Sequence, residues 1–96
     1  MDLFDSMRTF VRVVERGSFT AVARELNVGQ PAVSKQIRAL EQHLGGPLFA
    51  RTTRQLSLTD QGRGFYSHCQ EILGSLEIAT RSFASGQEQI AGPMRI

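Results

Sequence analysis

The stretch Ser18-Phe19-Thr20-Ala21-Val22-Ala23-Arg24-Glu25-Leu26-Asn27-Val28-Gly29-Gln30-Pro31-Ala32-Val33-Ser34-Lys35-Gln36-Ile37-Arg38 holds two helical patterns on either side of a short break. In the first, Phe19, Val22, Ala23 and Leu26 share one face over residues 19–26, and Ser18 stands where an N-cap belongs. The break is Asn27-Val28-Gly29, and asparagine tolerates the left-handed backbone that a sharp turn demands. In the second, Pro31 suits a first helical turn, where its missing N–H is not needed. Val33, Ile37, Leu40 and Leu44 then line one side until Gly45-Gly46-Pro47 stops the helix. Ala23 is small enough to let the two helices approach closely. This is a helix-turn-helix arrangement, in which the second helix is the one that enters a major groove.

The outward face of that second helix carries Gln30, Ser34, Lys35 and Arg38, with Pro31 and Ala32 at its start. Glutamine can pair bidentately with adenine, and arginine or lysine with guanine, each worth roughly 1–3 kcal/mol of discrimination. A merely solvated helix face would also be polar. Two features favour DNA. No carboxylate occurs between Glu25 and Glu41, and the segment that follows supplies Arg51, Thr53 and Arg54 to the tip of a hairpin. A basic wing of that kind could touch phosphates or a minor groove.

Outward from the pair, Leu3, Met7, Phe10 and Val14 mark a helix over 3–16, with Phe4, Val11 and Val13 widening its apolar face. Asp2 is placed to cap it and Gly17 to end it. On the other side, Leu48-Phe49-Ala50 and Leu56-Ser57-Leu58 change to a β-compatible pattern, a small hairpin with arms of about three residues. A long helix starts near Thr59. Its apolar positions Phe65, Cys69, Ile72, Leu76, Ala79 and Phe83 advance in alternating steps of four and three, the heptad signature of a seam that meets another helix. Residues 60–85 as helix would run roughly 39 Å at 1.5 Å per residue, more than a domain core built from residues 3–58 can cover. The expectation is that most of the seam, beyond the Phe65 and Tyr66 end, meets a second copy of the chain.

The overall balance excludes several classes. With 96 residues, 41% of them hydrophobic, the chain holds one small domain and an appended element, and neither disorder nor collagen-like repetition fits. No apolar run approaches the roughly 20 residues of a membrane span, and Met1-Asp2-Leu3-Phe4-Asp5 lacks the basic start of a signal peptide. A single cysteine makes no intrachain disulfide, so the expected location is cytoplasmic. The net charge of +2 conceals an asymmetry: residues 1–64 carry +3 and residues 65–96 carry −1. His43 and His68 have no partners at metal-ligand spacing, and Gly62-Arg63-Gly64 lacks the strand–loop–helix setting of a phosphate loop. Ser34 has no base and acid arranged to activate it, so no enzyme, metal site or cofactor is expected in this segment.

The runs 18–26 and 30–37 resemble the LysR-type transcriptional regulators. So do Leu40-Glu41, Leu44-Gly45, Pro47-Leu48-Phe49, Arg51, Arg54 and Leu58-Thr59-Asp60-Gln61-Gly62. The resemblance spans Leu3 to about Ile90. It implies a mainly α winged helix-turn-helix over 1–58, a linker helix for dimerisation over 59–88, and at 89–96 the start of an effector-binding domain, with Pro93-Met94-Arg95-Ile96 leading into its first strand. It implies binding of double-stranded DNA as a homodimer with antiparallel linker helices reading an inverted repeat, a tetramer being open to the full-length protein. A small-molecule effector is expected only for the domain beyond. Position by position, the resemblance puts Gln30, Pro31, Ser34 and Lys35 at the base-reading end, Arg54 in the wing, and Ser18 and Thr20 near backbone phosphates. Arg51 matches a family arginine that either touches DNA or braces the wing. Gly29 stands where the family usually has serine, which removes one hydroxyl contact, and Lys35 where arginine is frequent, which weakens the case for a forked guanine contact there.

Overall fold

The computed structural model describes residues 2–50 and 56–85, so the wing tip with Arg51, Thr53 and Arg54 and the tail 89–96 lie outside the described residues. Four helices and one two-stranded ladder follow in chain order: α1 (Leu3–Arg16), α2 (Phe19–Leu26), α3 (Gln30–Leu44), β1 (Phe49–Ala50), β2 (Ser57–Leu58) and α4 (Asp60–Ser85).

Local chemistry sets the helix ends. The Asp2 carboxylate accepts from the Asp5 N–H at 3.2 Å, and Gly17 ends α1 at φ 70° with its N–H on the Val13 carbonyl. Ser18 Oγ accepts from the Ala21 N–H at 3.1 Å to start α2. Asn27, at φ 60°, is the only non-glycine residue with positive φ among the described residues, and the Val28 N–H closes the turn on the Ala23 carbonyl at 2.9 Å. Gly45 stops α3 at φ 88°.

Phe10 sits at the centre of the core, fully buried, with Phe49 edge-on at 5.5 Å, Phe65 at 5.6 Å and Tyr66 at 6.3 Å. Met7, Val13, Val22, Ala23, Val33, Ile37, Leu40, Leu48 and Cys69 close around it. Helix ends outrun this core. Leu3 opens α1, Leu26 closes α2 and Leu44 closes α3, and each is about two-fifths exposed although the helical spacing assigns it to an inward face.

The ladder is antiparallel, Phe49 opposite Leu58 and Ala50 opposite Ser57, one residue shorter per arm than the pattern predicts. Leu48 explains the difference. Its N–H goes to the buried Glu41 carboxylate at 2.8 Å, while its carbonyl accepts from the Thr59 N–H at 3.0 Å. Thr59 Oγ1 also donates to the Pro47 carbonyl at 2.8 Å and accepts from the Gly62 N–H at 2.9 Å, starting α4. The ends of α3, the wing and α4 therefore meet at one backbone node.

The structure corrects the seam at Cys69. The heptad rhythm assigns Cys69 to a partner-facing stripe, but it is wholly buried within this chain, while Phe65, at the end expected to fold back, packs on Phe10. Leu73 joins the same core, so α4 folds onto its own domain two turns further than expected. Burial pushes the Cys69 thiol up to about 11, which leaves it protonated and unreactive near neutrality. Ile72 and Phe83 stay exposed, Phe83 at 89%, with Ala79 exposed and Leu76 half-buried.

An exposed ion cluster ties α1 to α2. Arg12 holds both Glu25 oxygens, at 2.8 and 2.7 Å, and Arg16 adds a bond at 2.8 Å. Hydrogen bonding from Arg12 draws the Glu25 carboxyl below the ordinary carboxylate range, against the opposing cost of desolvation. A carboxyl lowered on folding adds stability above its unfolded value of about 4.3, and that stability is lost as pH falls through the folded value. Glu25→Gln should therefore melt below the parent at pH 7, with the gap closing as the pH drops below about 4. A gap in thermal melts that stays constant from pH 7 to pH 3 would show that the pair contributes nothing.

Candidate nucleic-acid interface

The α2–α3 pair positions the polar face. The Asn27 turn sets α3 across α2, and Val33 and Ile37 hold it by burial. Thr20, Arg24, Asn27 and Gln30 line one shallow cleft where the start of α3 meets α2. The sequence-predicted Thr20 and Gln30 are thus brought together. Ser18 lies at the start of α2, half-buried, its oxygen engaged in capping. Gln30, Pro31, Ala32, Lys35 and Arg38 are exposed and Ser34 is half-exposed. Gln30 Nε2 donates to Ser34 Oγ at 2.8 Å, and no side chain caps the start of α3.

The cations divide by commitment. Arg12 and Arg16 are spent on Glu25 and Glu15, and Arg63 on Asp60. Among the described residues, Arg24, Lys35 and Arg38 form no ion pair or side-chain hydrogen bond. The acids near this face are occupied elsewhere. Glu25 turns to α1, Glu41 is buried at the root of the wing, and Asp5 accepts from Gln36, about 200° round α3 from Ser34. The result is an exposed surface of uncommitted donors with little negative charge, suited to a polyanion with hydrogen-bonding edges.

Sequence reasoning missed two residues. Arg24 shares the cleft, and its position four residues after Thr20 on one helix was the available signal. Glu41 has no such signal, because its N–H partners on Leu48 and Phe49 come from the following segment. Among the described residues no three His, Cys, Asp or Glu side chains cluster as metal ligands would, and no helix is long and apolar enough to cross a membrane.

Comparison with known proteins agrees with this geometry. A family model described as a bacterial regulatory helix-turn-helix protein, lysR family, matches residues 4–63. An HTH-type transcriptional repressor of Pseudomonas aeruginosa is 38% identical over 96 residues, all of this chain and 30% of that protein. The transcriptional regulator CrgA of Neisseria meningitidis is 38% identical over 92 residues, 96% of this chain and 31% of its own length. The chain spans about a third of the length of the curated relatives it matches. Among solved structures, the BenM DNA-binding domain bound to catB site 1 DNA superposes with a TM-score of 0.82 at 36% identity, covering 95% of this chain and all of that one. Full-length OxyR from Pseudomonas aeruginosa gives 0.79 at 28% identity, covering 97% of this chain and 31% of that one. These relatives are regulators and not enzymes. The chain is a winged helix-turn-helix DNA-binding domain and belongs to the lysR family of bacterial regulatory helix-turn-helix proteins.

Proposed function

We propose that two copies of this chain bind an inverted-repeat operator as a homodimer, joined through the exposed second half of α4. In each half-site α3 enters the major groove and presents Gln30, Pro31, Ala32, Ser34, Lys35 and Arg38 to base edges. Thr20 and Arg24 face the neighbouring phosphates with Ser18 beside them, and the wing residues Arg51, Thr53 and Arg54 reach the flanking backbone. The regulator to which this domain belongs works where DNA is, in the cytoplasm, and takes its small-molecule effector on a separate domain. The observation that carries the reading is the exposed, uncommitted Lys35 and Arg38 on α3 beside the Thr20–Arg24 cleft. Solved relatives bound to DNA, BenM and CbnR, support it.

Lys35→Ala is expected to weaken binding to an operator selected from random duplex DNA by about tenfold, the worth of one base-edge hydrogen-bonding pair, with an unchanged melting temperature. Arg54→Ala should instead flatten the salt dependence, by about 0.9 in log–log slope for each phosphate left without its counter-charge. Fluorescence anisotropy between 50 and 200 mM salt reads both. Parent-like affinity and slope in both variants would refute the assignment of reading head and wing.

A further inference from the structure

We infer that Ser34 is a positioning residue for Gln30, and that the pair commits the chain to an adenine at one fixed position of each half-site. The inference rests on α3 being the recognition helix. The structure supplies three observations. Gln30 Nε2 donates to Ser34 Oγ at 2.8 Å, one helical turn on. Among the described residues Gln30 has no other partner, and Gly29 leaves the helix start without a side-chain cap that would compete for the amide. Gln30 is exposed at the mouth of the α2–α3 cleft, where a base edge would arrive.

The chemistry then selects the base. A primary amide has two N–H bonds. When the one trans to the carbonyl oxygen is given to Ser34, the cis N–H and Oε1 remain side by side along one free edge, a donor next to an acceptor. In the major groove, adenine presents N7 as acceptor and its N6 amino group as donor, the complementary order. Guanine offers two acceptors, so its O6 would face Oε1 in repulsion. Thymine offers one acceptor and a methyl group, and cytosine a lone donor. A glutamine already held in place also loses less rotamer freedom when DNA binds. The Ser34 hydroxyl proton remains available to donate in turn.

The test is selection of duplex DNA from a random pool by the 96-residue chain, followed by competition binding at each selected position. The parent should prefer adenine at one position per half-site by about tenfold. Gln30→Ala should erase that preference alone. Ser34→Ala should cut it to about threefold, because the amide must now be ordered on binding. Ser34→Thr, which keeps the hydroxyl, should restore it. In the Gln30→Ala background, Ser34→Ala should have no further effect at that position. If Gln30→Ala leaves the base profile intact, the recognition-helix reading itself fails. If Gln30→Ala erases the position but Ser34→Ala does not weaken it, recognition stands and the positioning role of Ser34 is overturned.

Discussion

Gly62→Ala is expected to destabilise the domain by about 3 kcal/mol, the upper end of the usual cost of overpacking a filled interior. A Cβ at position 62 would stand 2.1 Å from the Leu48 carbonyl oxygen and 3.0 Å from its carbon. That carbonyl has nowhere to go. It accepts from the Thr59 N–H at 3.0 Å, while the Leu48 N–H is held by Glu41 at 2.8 Å. Relief requires moving the start of α4 away from the root of the wing, which breaks these bonds and opens the packing of Phe49 on Phe10. For a domain of this size the melting temperature should fall by more than about 10 °C. The same helix provides controls, since a Cβ at Gly64 or Gly74 meets nothing within 4 Å. Gly64→Ala and Gly74→Ala should leave stability unchanged or raise it by up to about 1 kcal/mol, the helix preference for alanine. A Gly62→Ala chain that melts with the parent would mean that α4 does not start against Leu48.

The contrast between these glycines shows which features can be read from sequence. Helix boundaries were legible because caps are local: Asp2, Ser18, Asn27 and Gly45 act on backbone groups a few residues away. The donor face of α3 was legible for a related reason, since it depends on what is missing from the packing. Gly62, Glu41 and Thr59 act on Pro47, Leu48 and Phe49 across the α3–wing–α4 junction. Their partners are set by the tertiary path of the chain, and no periodicity encodes it. Cys69 makes the point most directly. A four–three rhythm states that one stripe of a helix is apolar, not whose core covers it. In α4 the side chains that pack on the domain core are Phe65, Tyr66, Cys69 and Leu73, while Ile72 and Phe83 of the same rhythm are left exposed.

That division motivates the second large effect. Ile72→Asp with Leu76→Asp should yield monomers in sedimentation and reduce affinity for a two-half-site operator by at least about 100-fold, as engagement of the second half-site ceases to be intramolecular. The domain core covers α4 only to Leu73, while the helix continues to Ser85. Beyond Leu73, Ile78 is 60% exposed and Phe83 is 89% exposed, and helices gain most of their stability from packing an apolar face. A twofold partner laid antiparallel on this stripe would bring Ile72 and Leu76 of one copy near the same stretch of the other, so four carboxylates would gather at the axis without counter-charges. The winged domain should survive the change, because Ile72 is exposed, Leu76 is outside the Phe10 core and neither touches Gln30, Lys35 or the wing root. Binding to an isolated half-site should therefore match the parent, which separates loss of dimerisation from loss of folding. A double variant that sediments as a dimer and keeps full operator affinity would place the subunit interface elsewhere, with the exposed Leu3 and Phe4 of α1 as the next surface to mutate.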